Sequence, residues 1–552
     1  MAVIQSLRNL KHEFSRELTW PLVLVTFYAS LAGMSYGIDL NYWSGLLGLA
    51  QFQKDFGVYD ASTQSWIIPT VWQSVGSGTP TAGIAVGTLI AGWLGNRFGR
   101  IKAFWVAAGI ALVGILVQST AGVGEGRGGE RGYWQLIVGR IVNALSMGII
   151  CNIIPIYQSE VAPAKLRGSF VNSYQFMLLF GGLFAVIVNW ALSERTDQWA
   201  YRVILIVQLV IPTIMVVGGF ILPESPRWLI SKGRDEEAVR VLKFLRRGTA
   251  DAVVEKEVQL IARSVEEQRF VLTRTGWIDC FRGPNLRRTL IAVGVQCLQP
   301  AQGNSYMTTY SIVLFQAIGI TDEYKTLIYL YFLDLVADGC AFIVADKMGR
   351  RPLMFTSSIL VAASLYTVGG LTGYADSTNP AVQKGTLAAI FLWYFIDAVG
   401  WAGCVWITCA EAPTTILRER TMTIATFSGF VVNLLIQYVS PYLQDEGYAN
   451  LQGKIGFVWG SFAIVAAVWV ALFLPEMSGR SLEELDELFE KGVSVWKFKN
   501  FTTVGVGAEV RELEDAGKEA VLDEKKVIVG VEVEPVEMGD ECEMDSKKKM
   551  DV

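Results

Sequence analysis

Long apolar runs separated by short charged loops organise this chain. A helix needs ~20 mostly apolar residues to cross a bilayer. On that rule the pattern predicts twelve spans, six on each side of a charged middle segment. Those of the first half are centred near residues 30, 84, 112, 146, 181 and 212. Those of the second lie near 301, 335, 363, 398, 432 and 464. Glycine and proline interrupt several spans, which is tolerated where neighbouring helices satisfy the freed backbone. The pattern divides the chain into an N-terminal segment (1–19), a first set of six (20–222), a linker (223–288), a second set (289–474) and a tail (475–552). In the linker Ala238, Val241, Leu242 and Leu245 share one helical face, so short amphipathic helices are expected beneath the membrane part. From about residue 503 the tail is acidic and low in aromatics, the composition of disordered segments.

Composition sharpens this picture. Of 552 residues 52% are hydrophobic and 18% charged, with a mean hydropathy of +0.37. A soluble chain would carry about a quarter charged, so a polytopic membrane protein is predicted. The net charge of −5 matters less than where the charges lie. Arg97, Arg100 and Lys102 follow the second span, Lys165 and Arg167 the fourth, Lys347, Arg350 and Arg351 the eighth, and Arg418 and Arg420 the tenth; a dense basic set fills 227–288. Cytoplasmic loops are enriched in Lys and Arg, so both termini and the linker are expected in the cytoplasm. The N-terminus lacks a cleavable signal pattern, so the first span is expected to direct insertion. Cys151, Cys297, Cys340, Cys404 and Cys409 fall in spans, with Cys280 and Cys542 in segments assigned to the cytoplasm, and no structural disulfide is expected. No nucleotide loop, metal cluster or nucleophile–base motif is present. The expectation is therefore no enzyme, no cofactor, no metal and no nucleic-acid partner.

Two features carry candidate chemistry. Arg140 lies inside the fourth span, where a guanidinium costs several kcal/mol unless it has a partner or a wet cavity. Asp39, in the first span, is the candidate partner. The second feature is a repeat. Asn96-Arg97-Phe98-Gly99-Arg100 recurs as Asp346-Lys347-Met348-Gly349-Arg350 at an offset of 250. Glu160 and Arg167 recur as Glu411 and Arg418 at 251, and Pro223-Glu224 as Pro475-Glu476 at 252. Six spans separate the copies, so both keep one orientation. That is the parallel-repeat arrangement of transporters whose halves rock about a midplane site.

These residues, with Tyr36-Gly37-Ile38-Asp39, Gly139-Arg140, PIYQSEVAPAKLRG from Pro155, Gln175, PESPRWL from Pro223, ADKMGRRPL from Ala345, GWAGCVWITCAE from Gly400 and PEMSGRSLEEL from Pro475, resemble the sugar porter family of the major facilitator superfamily, its fungal members above all. The resemblance covers about residues 20 to 490. It implies an all-α membrane protein with twelve transmembrane helices in two pseudo-symmetric six-helix bundles. It implies a monomer of the plasma membrane that imports a sugar or sugar-like polyhydroxy solute by alternating access, coupled to a proton. Its partners are then that solute, the proton and the lipid bilayer. Asp39 opposite Arg140 is the implied proton-coupling pair; a static pair fixing helix packing is the alternative. His12 lies outside the membrane segments and is no candidate.

The resemblance nominates Gln175, Gln296, Gln299, Asn304, Trp406 and Asn433 for the solute, since hydroxyls need groups that donate and accept and sugar faces suit aromatic rings. Asp397, within the tenth span, either binds solute hydroxyls or faces a polar cavity; Asp334 and Asp338 are expected to be structural. Arg97, Arg100, Glu160, Arg167, Glu224, Arg227, Asp346, Arg350, Glu411, Arg418 and Glu476 are expected to form a cytoplasmic gate network. This network would latch the halves while the outer side is open. The chain departs from the family where Pro300 follows Gln299, where Ser305 stands in place of the usual Asn, and where Asn96 replaces Asp, implying a weaker latch there. A uniporter, a quinate or polyol carrier, a metabolite efflux carrier and a non-transporting sugar sensor are the other readings.

Overall fold

The computed structural model describes residues 19–61, 64–122, 129–163, 167–247, 251–274, 276–320, 322–375, 379–414, 416–445, 447–478, 480 and 482–501. The tail beyond 503, His12 and Cys542 lie outside them. Twelve long helices form the body. In the first half these are α1 (Trp20–Gly48), α2 (Thr70–Phe98), α3 (Arg100–Ser119), α4 (Gly129–Val161), α5 (Arg167–Leu192) and α6 (Trp199–Val207 and Val210–Gly218). The second half holds α7 (Pro284–Gln299 and Ser305–Ala317), α8 (Glu323–Met348), α9 (Arg350–Tyr374), α10 (Pro380–Asp397 and Gly403–Glu411), α11 (Arg418–Gln444) and α12 (Ile455–Phe473). Ten of the expected span centres fall inside these segments, and those near 301 and 398 fall between the two segments of α7 and of α10. Among the described residues, nine helices are long and apolar enough to cross a membrane. The other three long ones, α2, α7 and α8, are diluted by glycine, amide or acidic positions.

Within the first half α1 packs on α5, and α4 on both α2 and α3; within the second, α9 packs on α12 and α10, and α7 on α11. The first-half crossings bring backbones into contact. A Cβ on Gly37 would stand 1.9 Å from the Leu178 carbonyl oxygen, and one on Gly148 2.1 Å from that of Ile84. Small residues at such crossings give dispersion contacts in lipid, where no hydrophobic force draws helices together.

The sequence repeat is a structural repeat. Gly99 (φ +102°) and Gly349 (φ +87°) each open a helix from a backbone conformation that side chains rarely adopt. Glu224 accepts from the backbone N–H of Arg100 at 2.8 Å, and Glu476 from those of Arg350 and Arg351 at 3.1 and 3.0 Å. A carboxylate there meets both the unpaired N–H groups and the positive end of the helix dipole.

The linker forms Pro226–Ser231, Asp235–Leu245 and Asp251–Arg274. Ala238 and Leu242 are buried in a small core of their own with Trp228, Leu229 and Val254, while Leu245 joins the core of the first half. Thr19 and Arg246 tie the linker there through the Leu245 and Val161 carbonyls. At the other end of the chain, Leu485, Leu488, Phe489 and Phe498 join the core of the second half, and Arg288 pairs with Asp486.

The halves meet at the end opposite the basic loops. There α2 lies on α11, the second segment of α7 on α1, and α8 on α5. One buried apolar cluster runs from the first half into this part of the second; another belongs to the second half alone, toward the basic end.

Candidate functional site

Asp39 and Arg140 are both buried, 3% and 5% exposed, and no ion pair joins them. Asp39 Oδ1 accepts from Asn143 Nδ2 at 2.7 Å. Arg140 donates to the Gly76 carbonyl at 2.6 Å, with its guanidinium 4.0 Å from the ring centre of Trp43 and 5.3 Å from that of Tyr42. A carbonyl and two ring faces offset part of the cost of burying this cation. Asn143 stands one turn after Arg140 on α4, so Asp39 of α1 meets α4 about one turn beyond the base. Sequence reasoning passed over Asn143, although an amide three residues from a buried Arg was the available signal.

In the second half α7 breaks near mid-span at Pro300–Asn304, and α10 makes a π-helical turn there, Ala398–Ala402. Gly303 takes φ +98° inside the break, and the Gln302 carbonyl, freed from the helical pattern, accepts from Trp393 Nε1 at 3.3 Å. Nominated polar groups lie beside these two irregular segments. Asn304 Nδ2 donates to Asp397 Oδ2 at 2.9 Å, and Ser305 hydrogen-bonds to Asn433. Ser305 and Asn304 thus both work at the position where the expected pattern departs. Gln296 is buried with its Nε2 unpartnered. Gln175 and Gln299 are half-buried, and Trp406 is 48% exposed.

At the basic end, the described residues of each half include an ionic cluster. Arg100 grips Glu160 through Nε and Nη2 at 3.1 and 2.8 Å and takes Asn96 Oδ1 at 3.1 Å. Arg350 pairs with Glu411 at 3.1 Å and donates to Ser478 at 3.0 Å. Each of these contacts stays inside one half. Arg97 lies against the rings of Trp93 and Phe98, Arg227 sits in the first linker helix, and Arg418 keeps Nε and Nη2 buried without a hydrogen-bond partner. The side chains of Arg167 and Asp346 lie outside the described residues. Burial pushes the Glu224 carboxyl above its ordinary range, against its backbone N–H donors and Arg100.

At the opposite end polar contacts do cross between halves. Tyr324 donates to the Gly45 carbonyl at 2.8 Å, Tyr331 to Asn41, Thr81 to Gln437 at 2.6 Å and Thr70 to Asp445 at 2.5 Å. The sequence named none of these pairs, because they depend on which end of the molecule is closed.

Known proteins similar to this chain include transporters. A major facilitator-type transporter of Aspergillus rugulosus is 29% identical over 85% of this chain and 87% of its own length. A probable glucose transporter of Neurospora crassa is 30% identical over 89% of this chain and 83% of its own. Among solved structures, an inward-open form of the xylose transporter XylE from E. coli superposes with a TM-score of 0.70 at 21% identity, covering 85% of this chain and 99% of that one. The sequence model of the family described as sugar (and other) transporter matches residues 25–489. With that match spanning both halves and the linker between them, the chain belongs to the sugar transporter family of the major facilitator fold.

Proposed function

We propose that this protein carries a sugar or sugar-like polyhydroxy solute into the cell across the plasma membrane by alternating access, taking a proton with it. Both ends of the chain and the linker then lie in the cytoplasm, and the structure is an inward-facing state, with its halves joined at the outer end. The observation that carries the proposal is the parting of Asp39 from Arg140. Each has a separate partner in one buried compartment, which is what one stage of an acid–base exchange requires. With the carboxyl neutral, Asn143 and the Gly76 carbonyl suffice as partners. With it ionised, pairing with Arg140 is the favourable arrangement. A rearrangement of α1 against α4 thus links proton uptake to the rocking of the halves.

Gln175, Gln296, Gln299, Asn304, Asn433, Asp397 and Trp406 are proposed to bind the solute. Gln296 Nε2 and Asp397 Oδ1, buried without partners, are places a hydroxyl would fill. The two basic-end clusters would pair across the halves in the outward-facing state, where Arg418 finds the carboxylate it lacks here. The family relatives, a probable glucose transporter among them, support the solute class.

Uptake in a transporter-deficient cell tests the proposal, using glucose, xylose, a disaccharide, a polyol and quinate with and without a pH gradient. The expected result is concentrative uptake of a neutral polyhydroxy solute, with alkalinisation of the medium as it enters. Uptake that only equilibrates, and that a protonophore leaves unchanged, would contradict the proton step. No uptake of any of these solutes would contradict the transport reading.

A further inference from the structure

The face of α8 that meets the first half is acidic. Tyr329, Phe332 and Val336 are exposed and mark one side of this helix. Tyr324, Leu327, Tyr331, Asp334 and Asp338 follow one another at steps of three and four residues along the other side. Tyr324 and Tyr331 hydrogen-bond to α1. The two carboxyls therefore continue a stripe that already touches the first half, one and two turns nearer the basic end.

Their depth follows from packing. A Cβ on Gly182 of α5 would stand 3.1 Å from Tyr331 Cε1, so these two positions face each other. The helices α5 and α8 run in opposite directions. Gln175 is seven residues before Gly182 and Asp338 seven after Tyr331, so both stand about 10 Å from that contact, at one level. On the adjacent α10, Asp397 is buried, with Oδ2 held by Asn304 and Oδ1 unpartnered. Asp334 is within electrostatic reach of both Asp338 and Asp397.

The second half offers these acids no base. Its Lys and Arg side chains between residues 289 and 474 are Lys325, Lys347, Arg350, Arg351, Lys384, Arg418, Arg420 and Lys454, all at helix ends. In the first half Asp39 has Arg140. A buried acid without a base calls for a positive charge from elsewhere. The orphaned Asp397 Oδ1 is a place for a donor to arrive.

We infer that Asp397, with Asp334 and Asp338, forms a cation-accepting subsite beside the proposed solute site. The positive charge comes either on an ammonium group of the solute or as a proton accompanying a neutral one, and anionic solutes such as sugar acids are rejected. This rests on the transport reading above and narrows its solute class, against quinate. The other titratable groups within electrostatic reach of these acids are Tyr331 on α8 and Tyr394 on α10.

The test uses the full chain in Asp39→Asn form, so that protonation at Asp39 does not contribute. Glucose, glucosamine and glucuronate are titrated at pH 5.5 and 7.5 against intrinsic tryptophan fluorescence, with and without Asp397→Asn or Asp334→Asn. Glucosamine binding roughly tenfold tighter than glucose, with the difference lost in Asp397→Asn, assigns the charge to the solute. Equal binding of the two, with glucose affinity falling roughly tenfold at the higher pH and flat in Asp397→Asn, assigns it to a proton. Either result includes failure of glucuronate to bind. Affinities that ignore solute charge and pH in both the parent and the acid variants would overturn the inference while leaving the transport reading standing. Binding of none of the three, by protein whose melting curve matches the parent's, would overturn both.

Discussion

The two halves share one plan and solve different problems. In the first, α1, α2, α4 and α5 are unbroken and cross at glycines so close that Gly37 and Gly148 have no room for a methyl group. That half holds one buried acid and one buried base. In the second, α7 is broken at mid-span and α10 is loosened there by a π-helical turn, and three acids share the interior with amides and no base. Continuous helices let a charge pair be made or parted by a shift of one helix against another, which suits an acid–base exchange. Broken helices free carbonyls and set side chains off the helical pattern, which suits gripping a solute. The repeat thus supplies two scaffolds of one plan, the second of which is interrupted where its polar groups gather.

Substitutions at corresponding levels of the two halves probe this division. The largest effect is expected at Gly37→Leu, which drives a side chain into the Leu178 backbone. Folded protein, read by detergent size-exclusion, should be largely lost. A monodisperse variant with the parent's melting temperature would show that the first half is not rigid at this crossing.

Glu160→Ala removes a carboxylate, 8% exposed, that takes two bonds from Arg100, and leaves that largely buried guanidinium without its ion-pair partner. The expected cost is about 3 kcal/mol. Glu411→Ala, at a carboxylate 24% exposed, should cost less. Paired denaturation curves check the order, and a reversed order would undo the comparison.

Gly303→Ala asks for a side chain at φ +98° and is expected to cost about 1–2 kcal/mol. Here the signature is functional: solute affinity should fall more than folded yield, because the break is where the solute would be held. Equal losses of both would make the break merely structural.

The smallest effect is expected at Asn96→Asp. It restores the acid that the second copy carries, beside Arg100 at an exposed position, worth about 0.5 kcal/mol. It should shift the balance of inward- and outward-facing states slightly toward the outward. An unchanged balance and transport rate would remove Asn96 from the latch.

The spans were legible because hydrophobic thickness and helical rise fix their length, and even α2, α7 and α8, more polar than the rest, were found by the same rule. The repeat was legible because the helix-capping glutamates and their glycines are imposed by backbone chemistry at matching positions. The irregular segments were half legible. Pro300 and Gly303 announce the break in α7, but Ala398–Ala402 carries no residue that demands the π-helical turn in α10. The ionic clusters were legible as residues and not as pairings. Which carboxylate meets which guanidinium across the halves depends on a global state, not on local sequence. The same holds for Tyr331 with Asn41 and Thr81 with Gln437.

The central claim is that Asp39 and Arg140 exchange partners as the halves rock, and proton flux in Asp39→Asn tests it most directly. Purified protein in sealed liposomes, given solute and an external pH indicator, is predicted to take up protons with the solute. The Asp39→Asn protein should still exchange labelled for unlabelled solute while moving no protons and accumulating nothing. Solute-driven proton uptake that survives Asp39→Asn undiminished would contradict the account.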